Sequence, residues 1–187
     1  MSKLAVLVSG GGTNLQAILD AFPNQVISVI ADRDCYALER ATNAGVTAHL
    51  VDRKLYRDEL SLRINALIPD DCDLIVLAGF LSILDKQLIQ RFPQKIINIH
   101  PSLLPRYGGA GMWGIKVHQA AISAGDRESG CTVHYVSEEI DRGAIIAQAE
   151  VVITPGDSAD SLQQKVLAHE HELLVAVIKK LLVTNDH

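Results

Sequence analysis

The 187-residue sequence predicts an α/β fold with a doubly wound, mostly parallel, Rossmann-like sheet, helices on both faces and late antiparallel strands. In the first half, short aliphatic runs alternate with longer stretches of helical spacing, which indicates βαβ units. The central runs are apolar at consecutive positions, as expected for strands covered on both faces. After residue 101, two further runs separated by a short acidic stretch predict antiparallel strands.

Five runs of the first half are predicted as strands: KLAVLVS, VISVIA, VTAHLV, DLIVLAG and KIINIH. The stretches between them predict helices at residues 14–22, 35–44, 54–67 and 85–92, and Gly45 follows the second helix as a C-terminal cap. Beyond residue 101, IKVHQAAISAG predicts a short helix, CTVHYV and AIIAQAEVVI predict the antiparallel pair, and residues 158–183 predict a long helix. We expect one domain over residues 1–187, because this length suits a single core.

The composition narrows the range of partners. The net charge is −5 with no basic run, which argues against a nucleic-acid partner. Three cysteines, odd in number and far apart, favour a reducing compartment, so we expect a cytoplasmic protein. MSKLAVLVSG does not have the pattern of a signal peptide, and LIVLAGFLSIL is too short to span a membrane. A small anionic substrate remains possible if one local site is positive.

SGGGTNLQ follows the first predicted strand and opens the first helix. Glycines allow backbone amides to approach a ligand, and a helix N-terminus favours an anion. Thr13 and Gln16 also have the spacing of a capping box. The dinucleotide fingerprint would require glycine at Leu15, and a Walker loop would require Gly-Lys, so a simple phosphate is the sharper interpretation. A tight, well-capped turn is the alternative.

Asn98 and His100 lie two residues apart at the end of the strand KIINIH, just before Pro101. Their spacing places both side chains on one face, and the proline prevents further strand pairing. Because ligands of open α/β sheets bind at the carboxyl ends of strands, this pair and the glycine loop are expected to share a crevice. Asn98 can donate to an oxyanion and His100 can donate a proton. The alternative is a hydrogen-bonded structural pair followed by a turn.

Two carboxylates also stand out. Asp141 lies between the late strands in SEEIDRG and, if near His100, would favour the charged imidazole. The alternative for this segment is an acidic hairpin turn. Glu170 interrupts the apolar stripe of the last helix, where a carboxylate needs a partner. A buried pair with a structural donor is the alternative for Glu170.

Taken together, NIHPSLLP, LAGFLSIL and IDRGAIIAQ resemble motifs of the formyltransferases that use 10-formyltetrahydrofolate. SGGGTNLQAILD resembles the branch of that family that formylates glycinamide ribonucleotide in purine synthesis. The resemblance covers nearly the whole chain. It departs at Ser82, where many members have arginine, and at GGAGMWGIKV, where the turn before His118 is usually shorter.

The resemblance implies a role for each matching position. Asn98, His100 and Asp141 match the catalytic trio. The residues matching the substrate phosphate and ribose site are Gly12, Thr13, Asn14 and Glu170. The residues matching the folate site are Arg53, Leu81, Ser82, Ile83, Leu84, Ser137, Glu138, Glu139 and Ile140.

The resemblance therefore predicts formyl transfer from 10-formyltetrahydrofolate, as co-substrate, to the amine of glycinamide ribonucleotide, with no metal. It leaves monomer and homodimer open. The alternatives are a 10-formyltetrahydrofolate hydrolase using the same trio, a formyltransferase acting on another amine, and a non-catalytic nucleotide-binding module.

Overall fold

Within residues 1–185, which the computed structural model describes, seven strands form one sheet in the order β3-β2-β1-β4-β5-β6-β7. The first five strands are mutually parallel, whereas β6 is antiparallel to β5 and β7 is antiparallel to β6. The strands are β1 Leu4–Val8, β2 Val26–Ala31, β3 Ala48–Leu50, β4 Leu74–Leu77, β5 Ile96–His100, β6 Glu128–Tyr135 and β7 Ile145–Val152. The predicted fold class is confirmed.

Helices cover both faces of this sheet. They are α1 Thr13–Ala21, α2 Tyr36–Asn43, α3 Arg53–Tyr56, α4 Leu60–Leu67, α5 Lys86–Arg91, α6 Ile115–Ser123 and α7 Ala159–Asn185. Gly45 has a φ of 73° just beyond α2, as a C-terminal glycine requires. None of the helices within residues 1–185 combines the length and apolar character needed to cross a bilayer.

Side chains of β1 divide between two apolar cores because successive residues point to opposite faces. Leu4, Val6 and Val8 pack in one core with residues of α1 and α7. Ala5 and Leu7 pack in the other core with residues of α4 and α5. All five side chains are fully buried, which explains why the strand reads as one continuous apolar run.

Two local predictions are wrong. The single helix expected at residues 54–67 is divided by a short 3₁₀ turn, Arg57–Glu59, where Arg57 has a φ of 42°. The capping box of Thr13 and Gln16 does not form: Gly12 is the N-cap of α1, and its carbonyl accepts from the Gln16 backbone N–H. The Gln16 side chain donates instead to Asp20, one turn further along the helix. The first amides of α1 therefore have no side-chain cap.

The sheet reverses direction between β1 and β4. From β1 the chain proceeds outward through β2 and β3, and from β4 it proceeds the opposite way through β5. The connections at the carboxyl ends of β1 and β4 consequently diverge and leave a crevice, the usual ligand position in such sheets.

Gly12 provides a test of how the turn after β1 packs. Its φ is 75°, and a Cβ built there would lie 2.7 Å from the Cβ of Ala37. Gly12→Ala should therefore lower the free energy of unfolding by roughly 1–3 kcal/mol, from backbone strain and overpacking. Gly11 lacks both constraints, since a Cβ there meets no atom within 4 Å. In urea unfolding, Gly11→Ala should stay within about 0.5 kcal/mol of the parent. Equal losses for both variants would contradict this account.

Candidate active site

A cavity of about 800 Å³ opens at the carboxyl edge of the sheet, where β1 and β4 diverge. Its size is typical of a small-molecule site. The lining comes from residues 10–14, 77–84, 98–101, 109–114 and 136–141, together with His118, His134 and several residues of α7. Segments that are distant in the sequence therefore meet in one crevice.

The structure brings nearly all predicted site residues to this cavity. Asn98, His100 and Asp141 line it, as do Gly12, Thr13, Asn14 and Glu170. The predicted folate residues 81–84 and 137–140 line it as well. Arg53 does not: it is exposed at the first position of α3, and its backbone N–H donates to the Asp32 carbonyl. Arg53 was predicted to contact the folate, but the structure places it outside the cavity lining, because α3 begins beside the end of β2 rather than at the crevice.

His100 is buried, and each ring nitrogen has a different neighbour. Nε2 lies 2.8 Å from the Tyr107 carbonyl oxygen. A carbonyl only accepts, so Nε2 carries a proton and donates it there. Nδ1 lies 3.6 Å from Oδ2 of Asp141, within ion-pair range but longer than a hydrogen bond. Nδ1 is therefore the nitrogen that remains available to a reacting group.

Asp141 is held by the backbone as well as by its neighbours. It has a φ of 55°, and its Oδ2 accepts from the Gly109 N–H at 2.9 Å. Its other oxygen, Oδ1, lies 3.7 Å from Nε2 of His134. Asp141 thus faces two imidazoles and ties the segment after β6 to the glycine-rich loop.

His134 orients Asn98, a role that sequence reasoning missed. The His134 Nδ1–H donates to the Tyr135 carbonyl at 2.8 Å, which leaves Nε2 as an acceptor for the Asn98 amide at 3.1 Å. Burial lowers the pKa of His134, with smaller opposing effects from the Tyr135 carbonyl and Asp141, so the neutral ring is favoured. The feature that reveals this role is the sheet register, which pairs Asn98 with His134 across β5 and β6.

His118 is a second imidazole that the motifs did not single out. It is buried on α6 and lines the cavity, and its Nδ1 has no hydrogen-bond partner. Burial, and then the nearby His100, lower the pKa of His118 to about 4, so its ring is neutral at pH 7. Within residues 1–185, no group of three or more His, Cys, Asp or Glu side chains is arranged to hold a metal ion.

The turn after β1 presents backbone amides at the start of α1. Because α1 has no side-chain cap, its first N–H groups are available to an anion at the positive end of the helix dipole. Among the described residues that line the cavity, none is lysine or arginine. The Arg40 guanidinium lies behind the turn, where Nε donates to the Gly11 carbonyl at 2.8 Å. An anion at this turn would therefore meet mainly backbone groups.

Asn14 and Glu170 form a pair across the cavity wall. Asn14 Nδ2 donates to Oε2 of Glu170 at 2.8 Å, and Glu170 is only 8% exposed. Burial raises the pKa of Glu170, and the Asn14 hydrogen bond partly opposes this effect. The Asn14 Oδ1 is buried without a partner. Glu170 therefore has the buried partner that the sequence analysis expected, and that partner, Asn14, is itself predicted to contact the substrate.

The other end of the cavity is more apolar. Leu81, Ile83 and Ile140 are 39%, 67% and 40% exposed and stand around the opening. Ser82 lies among them, but its hydroxyl donates to the Asp32 carboxylate behind the segment. This end can accept the flat face of an aromatic heterocycle, with the backbone of residues 81–84 as its polar edge.

The glycine-rich loop before α6 forms the remaining wall. Met112 and Trp113 both line the cavity, and Trp113 is 49% exposed. The Lys116 ammonium lies 4.8 Å from the centre of the Trp113 ring. The tryptophan is therefore not packed into either core.

The chain resembles characterised proteins over almost its full length. A family model described as formyl transferase matches residues 2–178. Phosphoribosylglycinamide formyltransferase of Haemophilus influenzae is 43% identical over 190 residues, covering 96% of this chain and 86% of the relative.

Solved structures extend the likeness to the fold. A glycinamide ribonucleotide transformylase from Symbiobacterium toebii superposes with a TM-score of 0.88 at 39% identity, covering 95% of this chain and 86% of that one. A phosphoribosylglycinamide formyltransferase from Coxiella burnetii, solved with CHES, gives 0.86 at 38% identity, covering 94% and 84%. With the family model spanning most of the chain and the same fold in these relatives, the protein belongs to the formyl transferase family.

Proposed function

We propose that this protein transfers the formyl group of 10-formyltetrahydrofolate to the amine of glycinamide ribonucleotide, a step of purine biosynthesis. The observation that carries the proposal is the position of Asn98, His100 and Asp141. They line one cavity together with the glycine turn at the start of α1 and the apolar side chains of Leu81 and Ile83. The relatives named for this reaction support it.

The ribonucleotide occupies the end of the cavity near α1. Its phosphate accepts hydrogen bonds from the backbone at residues 11–14, where the helix dipole favours negative charge. The Glu170 carboxylate, held by Asn14, accepts from the ribose hydroxyls. These two anchors direct the amine toward His100.

The folate occupies the opposite end. Its pterin ring lies among the apolar side chains of Leu81, Ile83 and Ile140, and residues 137–140 form the facing wall. The formyl group then projects toward Asn98 and His100.

Three free cysteines fit a reducing environment, and a cytoplasmic location is part of the proposal.

The reaction is a direct acyl transfer. The amine nitrogen attacks the formyl carbon, a new C–N bond forms, and the carbonyl oxygen becomes an oxyanion. The Asn98 amide, oriented by His134, and the protonated Nδ1 of His100 donate hydrogen bonds to it. The Asp141 carboxylate lies 3.6 Å from the same Nδ1, where it faces the ring that donates this hydrogen bond.

Collapse of the intermediate breaks the bond between the formyl carbon and the folate nitrogen. The attacking amine loses one proton and the departing nitrogen gains one, so the proton count balances. Asp141 and His100, whose Oδ2 and Nδ1 lie 3.6 Å apart, relay this proton from one nitrogen to the other.

Turnover with and without glycinamide ribonucleotide tests the proposal. We expect 10-formyltetrahydrofolate consumption to require the amine, whereas a hydrolase would consume it without the amine and a binding module would not consume it.

Asn98→Ala and His100→Ala should each lower kcat by about 10²–10⁴. Asp141→Asn, which tolerates the positive φ, should do the same. His169→Ala is the matched control, because His169 is exposed on α7. Near-normal kcat in all three variants, or turnover independent of the amine, would contradict the mechanism.

Glu170→Gln tests the ribose contact. The glutamine still accepts from Asn14 but has no charge, so KM for glycinamide ribonucleotide should rise about tenfold. Because the folded-state pKa of Glu170 is raised, the ionised carboxylate costs stability above its unfolded pKa, and Tm at pH 7 should stay or rise. Glu172→Gln, exposed on the same helix, should change neither quantity. A lower Tm with unchanged KM would instead support a structural pair.

Trp113 reports on the glycine-rich loop, since it is the single tryptophan of the sequence. We expect this loop to close over bound substrates and exclude water, which favours transfer over hydrolysis. On addition of ribonucleotide and a non-reactive folate analogue, the emission should shift and iodide quenching should fall, after correction for ligand absorbance. Identical emission and iodide access in the free and ternary states would exclude closure.

A further inference from the structure

The buried carboxylate of Asp32 has no part in the mechanism above. It follows the carboxyl end of β2, is 0% exposed, and does not line the cavity. An isolated carboxylate in such a position is costly unless it is paired and hydrogen-bonded. Its partners therefore indicate what it does.

Three polar side chains, from three different segments, meet at Asp32. Arg33 Nε donates to Oδ1 at 2.9 Å and Arg33 Nη2 donates to Oδ2 at 2.8 Å. The Ser82 hydroxyl donates to Oδ2 at 2.5 Å, and the Ser9 hydroxyl is near enough to the same carboxylate to lower its pKa. Burial raises the pKa of Asp32, but the hydrogen bonds from Arg33, Ser82 and Ser9 outweigh it and hold the pKa below its usual value.

The network extends to the backbone of the folate segment. The Leu81 N–H donates to the Ser9 hydroxyl oxygen at 2.8 Å, and Ser9 is one of the three side chains that lower the pKa of Asp32. Both Leu81 and Ser82 are thus tied to one buried charge. Ser9 also lies directly before the glycine turn, so the carboxylate connects the two walls of the crevice where the sheet reverses.

We propose that Asp32 is a positioning residue that holds residues 81–84 in the conformation that binds the folate co-substrate, with Ser82 as its anchor. The Ser82 hydroxyl faces the scaffold rather than the ligand, and the folate contacts of this segment come from its backbone and apolar side chains. The inference rests on the proposed function, because it assigns the folate to residues 81–84.

The test uses Ser82→Ala and Asp32→Asn. Ser82→Ala removes one charged hydrogen bond, and we expect KM for 10-formyltetrahydrofolate to rise about tenfold. KM for glycinamide ribonucleotide should stay within about twofold, because the glycine turn keeps its own hydrogen bonds. Since the residues act as one unit, the double variant should lose no more than the worse single variant. Ser82→Ala keeps the test valid if Asp32→Asn does not fold.

Two measurements are independent of turnover. The Kd of a non-reactive folate analogue, by calorimetry, should weaken about tenfold in Ser82→Ala. Amide hydrogen exchange of the peptide that contains residues 81–84 should be faster in the ligand-free variant, measured at a temperature where the variant remains folded. The matched control is Ser28→Ala: Ser28 is buried in β2, and its hydroxyl has no partner.

Wild-type folate affinity and exchange in Ser82→Ala would overturn this inference and leave the proposed function standing. Equal increases in KM for both substrates would also overturn it, because they indicate general damage. A parent protein that does not bind the folate analogue would overturn the proposed function itself.

Discussion

The parallel pairing of β1 with β4 is the constraint on which the site depends. Leu4 to Leu7 pair with Leu74 to Leu77 in the middle of the sheet, and both strands are buried from either side. Because the chain winds outward in opposite directions from this pair, no connection crosses the gap between their carboxyl ends. The glycine turn on one side and residues 78–84 on the other become the walls of the cavity.

The proposed substrate is an anion, although the net charge of the protein is itself −5. The described cavity lining has no lysine or arginine, so the proposed binding relies on backbone amides at the start of α1. A backbone site has little conformational freedom to lose on binding, because the turn is already packed against Ala37 through Gly12. Positive side chains are used elsewhere, such as Arg40 behind the turn and Arg33 at Asp32.

Three carboxylates near the cavity are distinguished by their surroundings. Asp32 accepts from the Arg33 guanidinium and the Ser82 hydroxyl, so its charge is stabilised and serves as an anchor. Glu170 has an amide partner and a raised pKa, so binding a ligand with hydroxyl donors improves its environment. Asp141 lies 3.6 Å from the His100 ring and 3.7 Å from the His134 ring, and it accepts from the Gly109 N–H, so it connects both rings to the glycine-rich loop. The same chemical group thus has three roles, set by burial and partners.

The sequence by itself determined the fold class, because strand and helix periodicity are local properties and both apolar faces of the central strands are visible in the residue pattern. It also indicated Asn98 and His100, since a spacing of two fixes a common face, and it singled out the carboxylates Asp141 and Glu170, whose roles came from the motif resemblance. Only the tertiary structure decided the register that places His134 beside Asn98, and the contact between Asn14 and Glu170, 156 positions apart. It likewise removed Arg53 from the cavity, replaced the capping box with a glycine N-cap, and revealed Asp32 as the partner of Ser82. These features depend on how distant segments pack, and no local periodicity encodes which side chains then come within hydrogen-bonding distance.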